Sequence, residues 1–188
     1  LGRLLDFVQQ GSLKDKTAII ISSDHGEAFG EHGLYRHGFE VWEELIRVPL
    51  IVHVPGIAPK RETARRSLID LAPTILDLLG VEHPVAGAAD AFSGYSLLPD
   101  LVRPAGQPSP ARPIFADLCA GPFNDERQAL IEDDVKIITA MGRPVGIYDL
   151  AKDPGEKENL LGDAQQAAAM KAKLATFRSR LKVIKPTR

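Results

Sequence analysis

The 188 residues suffice for one domain, or for one with an appendage, and a chain of this size buries roughly two-thirds of its unfolded surface. A hydrophobic share of 44% and a charged share of 26% exclude a disordered chain, and a net charge of −2 gives no reason to expect a nucleic-acid partner. One cysteine, Cys119, excludes an internal disulfide framework and a cysteine-rich zinc site, and no apolar run approaches the ~20 residues of a membrane span.

The chain opens at Leu1 rather than at a methionine, so it reads as a segment cut from a longer protein. Leu1, Leu4, Leu5 and Val8 recur at i, i+3, i+4, i+7 and predict an amphipathic helix, ended by Gly11 and Ser12. Residues 17–23 are β-branched and apolar on both faces, which suits a buried strand of a parallel sheet. Asp24-His25-Gly26-Glu27 follows at its carboxyl end. Residues 28–40, rich in Gly, His and charge, read as loop, and 40–46 as a short helix. Residues 48–54 form a second apolar strand, closed by Pro55-Gly56. Asp70 as N-cap, Pro73 in the first turn, a stripe of Leu71, Ile75, Leu78 and Leu79, and Gly80 at C′ predict a helix over 70–79. This alternation is the α/β pattern with a mostly parallel sheet.

Residues 81–113 lose periodicity, carry six prolines and read as a long surface connection. Strands resume at 114–118, 128–132, 135–140 and 145–150. The short connections at 121–122, 133–134 and 142–144 predict an antiparallel meander. A helix over 164–182 closes the chain, with Met170, Leu174, Phe177 and Leu181 as its seam. The expected organisation is 1–112 as part of an α/β core and 113–188 as a small antiparallel subdomain with a packed helix.

Asp24-His25 is the best chemical candidate. Open α/β sheets place ligands outside strand carboxyl ends, and a carboxylate and an imidazole both bind metals. Neighbouring side chains on a regular strand point to opposite faces, so the backbone must turn for both to reach one ion, which Gly26 permits. From these residues alone, a metal pair and a strand end in which Asp24 caps local N–H groups stay equally open. Three of the five histidines, His25, His32 and His37, share one stretch, but their spacing matches no His-x-x-x-His zinc motif. His32 reads as a plain loop histidine, His53 as a satisfied core residue and His83 as surface. Cys119 reads as a small hydrophobe at a strand end. The seven basic residues from Lys171 to Arg188 read first as a solvated helix end, and second as a polyanion patch.

Residues 17–27, Thr-Ala-Ile-Ile-Ile-Ser-Ser-Asp-His-Gly-Glu, resemble the second metal-binding strand of the sulfatase family in the alkaline phosphatase superfamily. The resemblance continues through Gly30-Glu31-His32-Gly33 and through His37-Gly38, leading into Trp42-Glu43-Glu44-Leu45-Ile46-Arg47-Val48-Pro49-Leu50. It resumes at Asp70-Leu71-Ala72-Pro73-Thr74-Ile75-Leu76-Asp77-Leu78-Leu79-Gly80, at Gly94-Tyr95-Ser96-Leu97-Leu98 and at Tyr148-Asp149-Leu150-Ala151-Lys152-Asp153-Pro154-Gly155-Glu156. These blocks stand in the order of the C-terminal portion of that family.

The resemblance implies that Asp24 and His25 ligate a divalent metal, calcium first, with manganese or zinc as alternatives. It also implies that His37 donates a proton to the leaving oxygen. The family's formylglycine nucleophile arises from a Cys/Ser-x-Pro-x-Arg motif. Cys119 is followed by Ala-Gly-Pro-Phe and Ser109 by Pro-Ala-Arg, so the nucleophile is expected upstream of Leu1. The expected function is the C-terminal portion of an arylsulfatase-like sulfuric ester hydrolase acting on a sulfate ester, inactive as an isolated segment. The alternatives are a metal-dependent phosphohydrolase or phosphonate hydrolase, and a noncatalytic assembly segment. Uncovered apolar strands at 17–23 and 48–54 predict a homo-oligomer of the segment.

Overall fold

The structure is a computed structural model that describes residues 1–82 and 93–181. The expected surface position of His83, and the last three basic residues Lys182, Lys185 and Arg188, lie outside the described residues. In chain order the elements are α1 (Gly2–Gln9), β1 (Ile19–Ser22), β2 (Ala28–Phe29), β3 (Tyr35–Arg36), α2 (Glu43–Ile46), β4 (Leu50–His53), α3 (Leu71–Leu79), α4 (Leu98–Val102), β5 (Ile114–Leu118), β6 (Arg127–Glu132), β7 (Val135–Ala140), β8 (Arg143–Asp149) and α5 (Ala164–Arg180). The chain divides into two compact units, Leu1–Asp24 with Val48–Pro110 and His25–Arg47 with Ala111–Arg188.

In the first unit β1 and β4 pair antiparallel, from Ile19 opposite His53 to Ser22 opposite Leu50. The mostly parallel sheet is therefore not what these strands form: every ladder among the described residues is antiparallel. An apolar run on both faces reports an affinity for burial and carries no information on strand direction, which is set by the partner. His53 is exposed at the end of β4, not a core histidine. Gly80 closes α3 in the left-handed conformation at φ 62°, as expected of a C-terminal glycine. Asp70 does not cap α3 with its side chain. It forms a capping box with Ser67 and accepts the Tyr95 N–H at 2.8 Å, which ties residues 93–97 to the helix start. Thr74, fully buried, completes that tie by donating to the Asp70 carbonyl at 2.6 Å and accepting the Leu97 N–H at 2.8 Å.

Apolar surface remains open on this unit. Ile51 is 57% exposed, Ile69 53% and Leu79 69%. A two-stranded sheet also has two edges that can pair with another chain. The 188-residue chain is therefore expected to self-associate through this surface, burying more than ~1,000 Å². Light scattering should show an oligomer that Ile51→Glu shifts toward monomer. A wild-type chain monomeric at high concentration would rule the association out.

In the second unit β5 to β8 form a four-stranded meander in sequence order. Asp133-Asp134 and Met141-Gly142 make its tight turns, with φ of 51°, 62°, 49° and 76°. Two successive left-handed residues match the twist of a two-residue hairpin. Alternation assigns the two faces. Leu130, Ile137 and Ile147 face α5, against Ala167, Met170 and Leu174. Ala129, Ile131, Ile138 and Tyr148 face the other way, against Val41, Trp42 and Ile46. The sheet is thus covered on both sides, by α5 and by the segment that carries α2. Asp163 caps α5, accepting from the N–H groups of Gln165 and Gln166. Leu181 lies just past the helix at 44% exposure, so the buried seam ends at Phe177.

Candidate functional site

The stretch read as loop contains a hairpin. β2 and β3 pair with Ala28 opposite Arg36 and Phe29 opposite Tyr35. Continuing that register one step places Glu27 opposite His37. The contact is made: His37 Nδ1 donates to the Glu27 carboxylate, 3.1 Å from Oε2 and 3.3 Å from Oε1. The His37 ring stacks on His25 with centroids 4.0 Å apart and 30° between planes. The base of the hairpin therefore brings His25 and His37 together, with Glu27 holding one nitrogen of the His37 ring.

His25 has its own orienting contact. Its Nδ1 lies 2.8 Å from the Gly26 carbonyl. A carbonyl only accepts, so Nδ1 carries the proton and Nε2 of the neutral ring carries the lone pair, the tautomer that metal ligation through Nε2 requires. Gly26 serves a different purpose from the expected one. Its N–H donates to the Leu45 carbonyl at 2.8 Å, and a Cβ there would come within 2.0 Å of the Glu44 carbonyl oxygen. The glycine is required because α2 approaches its backbone so closely.

Asp24 is exposed and ends the first unit, and His25 opens the second. A carboxylate and an imidazole of this tautomer suit a divalent cation. Among the described residues no group of three or more His, Cys, Asp or Glu side chains is placed to hold a metal ion. Calcium takes ~6–8 ligands and zinc ~4. Calorimetry on the 188-residue chain should therefore show calcium binding weaker than micromolar. A sub-micromolar affinity would mean that this chain completes the site by itself.

The model of the Sulfatase family matches residues 1–81. Arylsulfatase K of Gallus gallus is 34% identical over 169 residues, which is 85% of this chain and 30% of that protein. The chain belongs to the sulfatase family. The solved structure of BT4656 in complex with its substrate D-glucosamine-2-N,6-O-disulfate superposes with a TM-score of 0.73 at 29% identity, over 95% of this chain and 36% of that one. The phosphonate monoester hydrolase of Agrobacterium radiobacter superposes with a TM-score of 0.77 at 26% identity, over 95% of this chain and 38% of that one. This sulfatase-family chain spans about a third of the length of the curated relatives it matches. No helix among its described residues is long and apolar enough to cross a membrane.

Behind the hairpin lies a charged network that the sequence reading missed. Lys136 on β7 is wholly buried. Its Nζ lies 2.8 Å from Glu156 Oε1 and 3.3 Å from Glu43 Oε1. The shorter approach is an ion contact off the direction of an aligned hydrogen bond. Glu156 Oε2 accepts the Glu43 N–H at 2.6 Å. Burial raises the Glu156 carboxyl above the usual range, with Lys136 opposing it. His32 joins this network from the tip of the hairpin. Its Nδ1 is 2.8 Å from Glu44 Oε1, its Nε2 is 3.2 Å from the Glu156 carbonyl, and its ring lies flat on Trp42 at 4.0 Å. His32 is thus a partnered residue and not a plain loop histidine. Cys119 is exposed, and its carbonyl accepts from the Asn124 amide at 3.0 Å.

Proposed function

We propose that these residues supply the metal-ligand pair and the leaving-group donor for hydrolysis of a sulfate ester, working with a nucleophile-bearing segment of the sulfatase kind. The observation that carries this is the stack of His37 on His25, with Glu27 bonded to His37 Nδ1. Asp24 and His25 Nε2 would hold the divalent ion, with calcium the first candidate and manganese or zinc the alternatives. When bound, that ion supplies Lewis-acid neutralisation of the sulfate oxygens. His37 acts from the same end of the hairpin. Glu27 orients the ring through Nδ1, which leaves Nε2–H of the protonated ring to meet the leaving oxygen. The proton passes to that oxygen as the S–O bond breaks. A formylglycine motif does not occur in the 188 residues, so activity is proposed for the assembled enzyme and not for this segment alone.

A second reading has a specific observation behind it. The similarity to a phosphonate monoester hydrolase is as good as that to the sulfated-glucosamine structure. A metal pair and a leaving-group donor serve either ester. Turnover of matched sulfate and phosphonate esters by the assembled enzyme separates the two, and a leaving-group series on that enzyme and its His37→Ala variant tests the role of His37.

A further inference from the structure

We propose that His32 is a positioning residue: a doubly protonated ring at the tip of the β2–β3 hairpin that pins the hairpin, and so sets the His25–His37 pair at its base. This rests on the reading of His37 as leaving-group donor. The geometry begins with the two ring nitrogens of His32. Nδ1 meets a carboxylate oxygen of Glu44 and Nε2 meets the backbone carbonyl of Glu156. Both partners only accept, so each contact needs an N–H, and a ring that makes both is an imidazolium. Its flat stack on Trp42 is the geometry of a cation on an indole face.

Each end of this tie is anchored. Glu44 lies on α2, Glu156 is clamped by buried Lys136, and Trp42 packs edge-on to Tyr148 of β8. His32 and Glu156 each hold a left-handed backbone at φ 51°, a conformation that costs energy for residues with a Cβ and persists where surrounding contacts enforce it. The ionisable groups facing His32 are Glu44 from α2, Glu156 from the segment after β8, and neighbouring Glu31 in its own turn. All are acidic. Between tip and base stand only the two paired positions of the hairpin, so fixing the tip fixes where Glu27 and His37 meet.

Burial alone would lower the His32 pKa. The hydrogen bonds to Glu44 and to the Glu156 carbonyl outweigh it and hold the ring above the ordinary histidine value. A pKa raised on folding contributes stability that is complete below about 6.5 and is lost as pH rises through the folded value. The tie is therefore tight in mild acid and released in alkali.

Trp42 is the only tryptophan, and a protonated imidazole quenches indole emission on contact. In the 188-residue chain, Trp42 fluorescence should rise with pH, with a midpoint above 6.5. That rise should be absent in His32→Gln and in His32→Arg. Amide exchange reads the positioning. At neutral pH, the bonded amides of Gly26, Gly30 and Leu34 should lose at least about tenfold protection in His32→Gln, as expected for a lost charge-assisted hydrogen bond. His32→Arg should keep that protection in alkali, because its fork can donate to both acceptors without titrating. Exchange unchanged in His32→Gln, or a fluorescence titration that survives the substitution, overturns the proposal. If exchange responds as expected while His37→Ala slows all leaving groups equally, the tie stands and the catalytic reading of His37 fails.

Discussion

Replacing His37 with alanine in the assembled enzyme is expected to slow esters of poor leaving groups by about 10²–10⁴-fold, and esters of acidic phenols hardly at all. A poor leaving group departs with substantial negative charge on oxygen and needs a proton during S–O cleavage. An acidic phenol carries that charge unaided. The rate should therefore fall off more steeply with leaving-group pKa in the variant than in the wild type. Glu27→Gln keeps a hydrogen-bond acceptor for His37 Nδ1 and should give a smaller effect with the same trend, because Glu27 only orients the ring. Equal slowing across the series would make His37 a packing partner of His25 and no more.

Replacing Lys136 with methionine should cost about 3–5 kcal/mol of unfolding free energy, measured by urea denaturation. Lys136 is fully buried and faces Glu43 and Glu156, so its removal leaves two carboxylates to be desolvated without a cation. The loss belongs to the stranded charges rather than to the ion pair itself. The triple variant Lys136→Met, Glu43→Gln, Glu156→Gln should therefore recover most of the stability, since a neutral buried site of similar volume is well tolerated. A loss below 1 kcal/mol in the single variant would show that water reaches the site once the ammonium is gone. The same ties hold α2 and the hairpin tip, so the single variant should also loosen the stretch that carries His25 and His37.

The elements that sequence reading located well are those whose signals are local. The meander of β5 to β8 announces itself in short apolar runs, with two-residue turns joining β6 to β7 and β7 to β8. Helix α3 is punctuated by Pro73 near its start and Gly80 at its end, and α5 carries a seam at helical spacing. The Asp24-His25 pair stood out because it follows an apolar strand directly. The β2–β3 hairpin was invisible because each strand has only two residues, too few for an alternation to develop. The signal that could have found it was Gly30 and Gly33 around His32, a turn composition flanked by symmetric partners.

What the residues determined alone was the longer helices and strands, their order, and the sulfatase-type blocks that carry Asp24, His25 and His37, while β2, β3 and α4 were not among them. Periodicity, caps and turn chemistry act within a few residues of chain, so they can be read from it. Only the tertiary structure decided the antiparallel pairing of β1 with β4, the close approach of α2 that demands Gly26, and the burial of Lys136. A lysine in the run Val-Lys-Ile-Ile-Thr-Ala reads as facing solvent, and it lies inside only because Glu43 and Glu156 reach it from distant positions. Charge pairing of that kind links groups far apart in the chain, and its energy depends on distance and burial that no local pattern encodes.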